Sequence, residues 1–289
     1  MCMLLRSFSF ASACAVFGVL AACDRGGTAD PERPSTTAIR IASFSPAMSA
    51  TLVDLGCESN IVARSPWCTD VAKSLPVVGD FRDFDAERIL LVSPSHIVLQ
   101  PPLSGINPAL ESFAKAQGIA LVAVQLDRMR DVRQFVSSVA PLASDAARVR
   151  ARLDAIDAIP LVDVHAPRVV VLVSAEPMLA AGGANYLTDL LPIVHLRNAL
   201  DAEGWIECSH EALAARDPDL LLGIAEREES VAGLRRALES IPCRASRSGR
   251  IVVVVSPELL RPSTRSIDAM RALQSAIDAV LRTTSEQAP

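Results

Sequence analysis

The run SDAARVRARLDAIDAI at residues 144–159 constrains this chain more than any other stretch. Ser144 is placed to cap a helix, and Asp145 sits where the helix dipole favours an anion. Ala146, Val149, Leu153, Ile156 and Ile159 recur at helical spacing, so one face is apolar. Arg148, Arg150, Arg152, Asp154 and Asp157 lie mostly off that face, and Pro160 stops the run. At 1.5 Å per residue the helix is about 24 Å long, the width of a small domain. Taken alone it is an ordinary surface helix. Its flanks change that reading, because an α/β half of similar size lies on either side and the two halves partly repeat.

In the first half, strands are expected at 39–43, 61–64 and 95–99, with a further apolar run at 75–78 and a strand at 120–125. Helices are expected from Ser45-Pro46 to Gly56, from Asp85 to Leu91, over 107–117 with Gly118 as the stop, and over 131–139. In the second half, strands are expected at 168–174, 220–224 and 251–255. Helices are expected at 186–191, at 209–215 behind Ser209, at 228–238 and at 267–281. Strands alternating with helices imply a mainly parallel, doubly wound sheet. The repeat is specific. Glu87 precedes Pro94 by seven residues, Glu211 precedes Pro218 by seven, and an apolar strand follows each proline. Each glutamate falls in the first turn of a short helix. Two related lobes bridged by a long helix leave a cleft between them, a common place for a ligand.

With 289 residues the chain can form two lobes, each with a proper core. The net charge of −5 and the absence of a Lys/Arg cluster argue against nucleic-acid binding. The start of the chain has the pattern of a targeting segment. Arg6 supplies a basic region, 7–20 an apolar run too short to span a bilayer, and Leu20-Ala21-Ala22-Cys23 resembles the bacterial lipobox. That motif implies cleavage before Cys23 and lipidation of its thiol, with two or more acyl chains giving a stable anchor. The expected organisation is a signal peptide at 1–22, a tether at 23–38, lobes at 39–143 and 161–289, and the bridging helix at 144–160. Four cysteines, Cys57, Cys68, Cys208 and Cys243, remain in a compartment where disulfides form, and three pairings are open. A Cys57–Cys68 bond is disfavoured. The 61–64 strand between them rises about 3.3 Å per residue, which carries its ends beyond the roughly 7 Å reach of a bridged pair.

Catalytic machinery is not evident. No nucleophile elbow, Walker loop or dinucleotide fingerprint occurs, and Gly182-Gly183 reads as a turn. Ser209-His210-Glu211 is consecutive, and neighbours on a helix do not face each other. The four histidines have no ligand spacing; His96, on a strand, reads as a satisfied core residue rather than a metal ligand. No metal site, bound cofactor or enzymatic activity is therefore expected.

Ile41-Ala-Ser-Phe-Ser-Pro46 with Thr51-Leu-Val-Asp-Leu-Gly56 resembles the start of the periplasmic binding proteins for vitamin B12 and iron chelates. So do Leu75-Pro-Val-Val-Gly79, Glu87 to Leu99, Trp205-Ile-Glu-Cys-Ser209 with Glu211, Gly249-Arg250, and Arg261-Pro-Ser-Thr-Arg265. The resemblance covers roughly 39–281. It implies two α/β lobes bridged by one long helix, a monomer that delivers a bulky ligand to an ABC permease and its ATPase. It implies ligand contacts at Trp67, Phe81, Trp205 and Arg261, and docking to the permease through Glu87 and Glu211. Val71-Ala72 replaces the Tyr-Pro often found in the first cleft loop, and the single tyrosine, Tyr186, lies away from the matched loops.

Trp67 and Trp205, from opposite lobes, are expected to face each other across the cleft, with Cys68 and Cys208 lining it as free thiols. Flat aromatic walls suit a corrin ring. An anionic ferric siderophore calls for several cations, and only Arg64, Arg82 and Arg261 are near the matched loops. Haem needs an axial Tyr or His, and only His210 is close. The expected cargo is cobalamin or another corrinoid, with a siderophore or haem as the alternative. A periplasmic lipoprotein enzyme and an interaction protein that has lost its ligand are the rivals from other classes.

Overall fold

The structure, a computed structural model, describes residues 38–283. The signal peptide, most of the tether and Cys23 lie outside the described residues. The first lobe runs β1 (Ile41–Ser43), α1 (Pro46–Asp54), β2 (Ile61–Arg64), α2 (Ala86–Val92), β3 (His96–Leu99), α3 (Pro108–Gln117), β4 (Ala120–Ala123) and α4 (Met129–Val139). Its sheet has the order β2-β1-β3-β4, with every neighbouring pair parallel. Helix α5 (Ala146–Asp157) leads to the second lobe. That lobe comprises β5 (Arg168–Ala175), β6 (Met178–Ala181), α6 (Tyr186–Leu190), β7 (Arg197–Asn198), β8 (Trp205–Glu207) and α7 (His210–Ala214). It continues through β9 (Leu220–Ala225), α8 (Glu228–Glu239), α9 (Arg244–Arg247), β10 (Ile251–Val255), α10 (Arg265–Ala272) and α11 (Gln274–Thr283).

Local signals account for many of these boundaries. The Ser45 hydroxyl accepts the Met48 N–H, Asp85 accepts that of Arg88 and Asn107 that of Ala109, so each side chain satisfies a helix-end donor. Gly118 ends α3 at φ 67°, a left-handed value that glycine adopts without steric cost. Val169, Val170, Val171 and Leu172 of β5 are all fully buried, as befits a central strand covered on both faces.

The largest apolar core does not stop at the lobe boundary. It joins Ile41, Leu52 and Val98 of the first lobe, Phe135 of α4 and Val149 and Ile156 of α5, to Val171, Leu222 and Ile267 of the second. Charged ties reinforce it. Arg152 of α5 donates to Asp54 of α1 at 2.8 Å and to Asp268 of α10 at 2.7 Å, and the Thr264 hydroxyl also donates to Asp54. Arg128, just before α4, grips the Asp189 carboxylate of α6 with its Nε and Nη2, and the Met129 N–H joins them at 2.9 Å. Asp70, in the loop after β2, accepts from both Arg261 and Arg265 of the second lobe. Apart from the half-exposed Asp268, these groups are largely withdrawn from solvent, so removing one partner leaves the other in a poorly solvated place.

Two expectations are corrected. The cap of α5 is Asp145, not Ser144, because its carboxylate accepts the Arg148 N–H at 2.9 Å; the helix has 12 residues and is shorter than its apolar pattern suggests. The last helix is two, α10 and α11, divided at Leu273, whose N–H turns back to Met270. The apolar run at 75–78 contributes a bridge from Val77 to Arg64. The sheets are mainly parallel, as expected; in the second, ordered β10-β9-β5-β6-β8 with β7 beside β5, β6 alone departs and runs antiparallel to both β5 and β8.

Candidate functional site

In open α/β sheets, ligands gather beyond the carboxyl ends of the strands. Here those ends supply Phe44 to Pro46 after β1, Trp67 after β2, Gln100 to Leu103 after β3 and Val124 to Arg128 after β4. They line two adjoining cavities that share Gln100, Pro101 and Pro102. The smaller, about 650 Å³, belongs to the first lobe and contains Trp67 and Phe81. The larger, about 1170 Å³, opens between the lobes. Its far wall is Asn185 and Tyr186 beyond β6, Glu203 to Trp205 at the start of β8, and Leu260 and Pro262 beyond β10.

Trp205 is held from behind. The Gly182 N–H donates to the Gly204 carbonyl at 2.8 Å, and the Gly183 N–H to that of Ala202. A Cβ on Gly182 would stand 2.1 Å from the Ala202 oxygen, so only glycine lets these segments meet. The pair expected to be a plain turn thus sets Trp205 opposite Ala181 on β6. Tyr186 meets the indole edge-on, with ring centroids 6.1 Å apart. The Tyr186 hydroxyl donates to the Leu259 carbonyl at 2.9 Å, and burial pushes its pKa far above the usual phenol range.

Trp67 is held more lightly, 67% exposed, with its indole N–H on the Asp80 carboxylate at 3.4 Å. Partial burial tends to raise the Asp80 pKa. The Arg82 and Asp83 N–H groups and the indole outweigh it and hold the carboxyl below its ordinary value. The Arg82 guanidinium lies 5.2 Å from the centre of the Phe81 ring.

The structure brings Trp67 and Phe81 together and places Trp205 in the neighbouring, larger cavity. The two tryptophans therefore line adjoining spaces rather than opposite walls of one. Arg261 lines neither cavity, because Asp70 and Thr69 of the first lobe hold its guanidinium. Arg64 is likewise turned onto the Ser65 and Lys73 carbonyls. All four cysteines are free thiols. Cys68 is buried against Ser65 and the Ser43 carbonyl, Cys208 bonds the Met178 carbonyl, and neither lines the cleft.

Sequence reasoning missed the polar lining of the large cavity. It comprises Gln100, Gln125 and Gln134 with Asp127, Asp131, Glu203, Arg128 and Arg130. Three carboxylates thus face two guanidiniums, one of which, Arg128, is already committed to Asp189. The signal available was position, since Gln100 and Gln125 closely follow the ends of two parallel strands. Among the described residues, no cluster of three or more His, Cys, Asp or Glu side chains is placed to hold a metal ion. His96 bonds the Ser95 hydroxyl, and burial lowers its pKa. Ser209 caps α7 by accepting the Ala212 N–H, and His210 lines a separate hollow outside the cleft. Glu87 and Glu211 are both exposed, each in the first turn of its helix, and neither makes an ion pair among the described residues.

Two α/β lobes sharing a core leave a cleft of about 1170 Å³ between them, a common place for a small-molecule ligand. The sequence pattern of the periplasmic binding protein family matches residues 41–236, and the chain belongs to that family, the solute-binding components of ABC importers. Its partners are accordingly a small molecule and an ABC permease. The fold is similar to that of the apo periplasmic haem-binding protein RhuT from Roseiflexus sp. RS-1. They share 21% identity at a TM-score of 0.65, covering 84% of this chain and 99% of that one. The haem-binding protein HutB of Vibrio cholerae matches at 18% identity and TM-score 0.69, over 83% and 99% of the two chains. The vitamin B12-binding protein BtuF of Vibrio cholerae matches at 16% and 0.62, over 83% and 97%. No curated protein sequence matches the chain.

Proposed function

We propose that the protein captures a corrinoid, cobalamin or a close relative, and hands it to its permease. The charge of the large cavity carries this reading. Carboxylates outnumber guanidiniums there, which disfavours an anionic ferric siderophore or the two propionates of haem. Among the described residues, none lends the cavity a free imidazole or phenol: Tyr186 is buried and bonded, and His210 lies elsewhere. A neutral ring edged with amides fits the glutamines, which both donate and accept. Trp67, Phe81 and Trp205 supply apolar and stacking contacts, and Arg261 remains on Asp70. Haem is the second reading, favoured by the names of RhuT and HutB.

Glu87 and Glu211 are the docking carboxylates for cations on the permease, one from each lobe. Cys23 carries the lipid that holds the protein, as a monomer, at the outer face of the cell membrane. The lobes divide at 39–143 and 161–289, about the helix at 144–160. Titration calorimetry decides the cargo: cyanocobalamin binds with a dissociation constant of about 1 µM or tighter, and haem and ferric siderophores do not. Saturable haem binding without cobalamin binding would transfer the assignment to the second reading. Replacing Cys23 by Ser releases the protein into the soluble fraction; an unchanged membrane fraction would remove the anchor.

A further inference from the structure

The segment between β10 and α10 touches the support of both tryptophan walls. Its Leu259 is fully buried, and the Leu259 carbonyl accepts the hydroxyl of Tyr186, the ring that backs Trp205. Two residues on, the Arg261 guanidinium crosses to the first lobe, where Thr69 and Asp70 hold it. Arg265, at the start of α10, joins it on Asp70 at 3.0 Å. Asp70 stands three residues after Trp67 in the same loop. Leu260 and Pro262, on either side of Arg261, line the large cavity, whereas Arg261 and Asp70 line neither cavity.

Both ends of this connection are stiff. The Leu259 and Leu260 N–H groups turn back to the Ser256 and Pro257 carbonyls, and the Arg261 Nε donates to the Pro257 carbonyl at 3.3 Å. The buried Ser266 hydroxyl lies 2.7 Å from the Arg261 carbonyl and 3.0 Å from that of Glu258, and it accepts the Ser263 N–H. Across the cleft, the Ser65 N–H donates to the Ser43 carbonyl at 2.8 Å, and the Trp67 N–H to the Ser65 hydroxyl at 3.3 Å. The Trp67 indole is free to turn about its own side-chain bonds, but the backbone that carries it is pinned on both sides. The Asp70 side chain is only 14% exposed, and each of its oxygens takes one guanidinium. Such charge-assisted contacts are strong and directional.

We infer that Asp70 and Arg261 are positioning residues for the cargo. They key the Trp67 loop to the segment that supports Tyr186, and so set the spacing of the two tryptophan walls. Arg261 thus serves binding without touching the ligand, through the backbone that joins it to Leu259. The inference rests on the cleft being the cargo site, as proposed above.

The test reads each wall alone in full-length proteins with one cleft tryptophan: Trp67→Phe reports Trp205, and Trp205→Phe reports Trp67. Asp70→Asn and Arg261→Gln are placed in both backgrounds, so that one unfolded variant does not close the test. In the ligand-free protein each should lower the emission anisotropy of Trp205 as well as that of Trp67. Asp70→Asn combined with Tyr186→Phe should loosen Trp205 no more than the larger single effect, because both act on one relay. Arg244→Ala removes ion pairs with Asp217 and Asp219 at the amino end of β9, away from the cleft, and should move neither signal. With both tryptophans present, Asp70→Asn should bind cyanocobalamin about fivefold more weakly in calorimetry, and Arg244→Ala should bind it like wild type. If Asp70→Asn and Arg261→Gln leave Trp205 as in the parent, whatever Trp67 does, the walls are not keyed and the inference is overturned. Unchanged affinity in Asp70→Asn beside normal wild-type binding would overturn the positioning role as well. Failure of the wild type to bind cyanocobalamin removes the corrinoid reading alone, since the ligand-free anisotropies still decide the keying.

Discussion

Each lobe brings one tryptophan to the cleft, and each does so by different means. In the first lobe Trp67 rides on a loop, mostly in solvent, fixed by one long hydrogen bond to Asp80. In the second, Trp205 begins a strand, is backed by the buried Tyr186 ring, and depends on a glycine contact that admits no side chain. The first wall can adjust to a ligand; the second is set before the ligand arrives. Pre-organised contacts forfeit less ordering entropy on binding, so most of the affinity should come from the second lobe.

The largest effect tests that ranking directly. Trp205→Ala should weaken cyanocobalamin binding by about 2–4 kcal/mol and Trp67→Ala by only about 1 kcal/mol, measured by calorimetry. The reverse order would break the comparison. The next concerns the frame that keeps the walls apart. Arg152→Ala leaves the nearly buried Asp54 carboxylate with the Thr264 hydroxyl but no counter-charge and should cost about 2–3 kcal/mol in urea unfolding. Arg133→Ala removes an exposed pair with Asp157 and should leave the urea midpoint nearly unchanged. Equal losses would show that the tie between the lobes is no stronger than a surface contact.

Smaller still, Tyr186→Phe leaves the Leu259 carbonyl without its donor. It should cost about 1–2 kcal/mol, and fluorescence anisotropy should report a looser Trp205. The smallest effect is on the adjustable wall. The Asp80 pKa is lowered in the folded protein, so its stabilisation is complete above the ordinary carboxylate pKa of about 4. It is lost as pH falls through the lowered value. In a Trp205→Phe protein, Trp67 emission should hold steady down to about pH 4 and shift below it. A flat profile would remove Asp80 as the indole's tether.

Local chemistry made much of the fold legible. The bounds of β2 and β10 follow from apolar runs, and those of α3 from Asn107, Pro108 and Gly118. The repeat placed Glu87 and Glu211 in the first turns of α2 and α7. Strands β6 and β8 were not legible, because Met-Leu-Ala-Ala carries little β-propensity and Trp-Ile-Glu, though it contains two strand formers, is only three residues long. The site was harder to read. Arg261 looked like a ligand contact until its partner Asp70 came into place from 191 residues away, a distance at which no periodicity operates. The glutamines of the cleft belong to no motif; only their place just past strand ends gives them a role.

The shared core and the ties through Arg152, Arg128 and Asp70 also bear on traffic at the membrane. A receptor whose halves are riveted together cannot announce its cargo by closing over it. Empty and loaded copies would then show the permease the same face and queue for it on equal terms. Made in excess over its cargo, the protein would slow uptake by occupying its own transporter. Its abundance, as much as its affinity, would set the rate of supply.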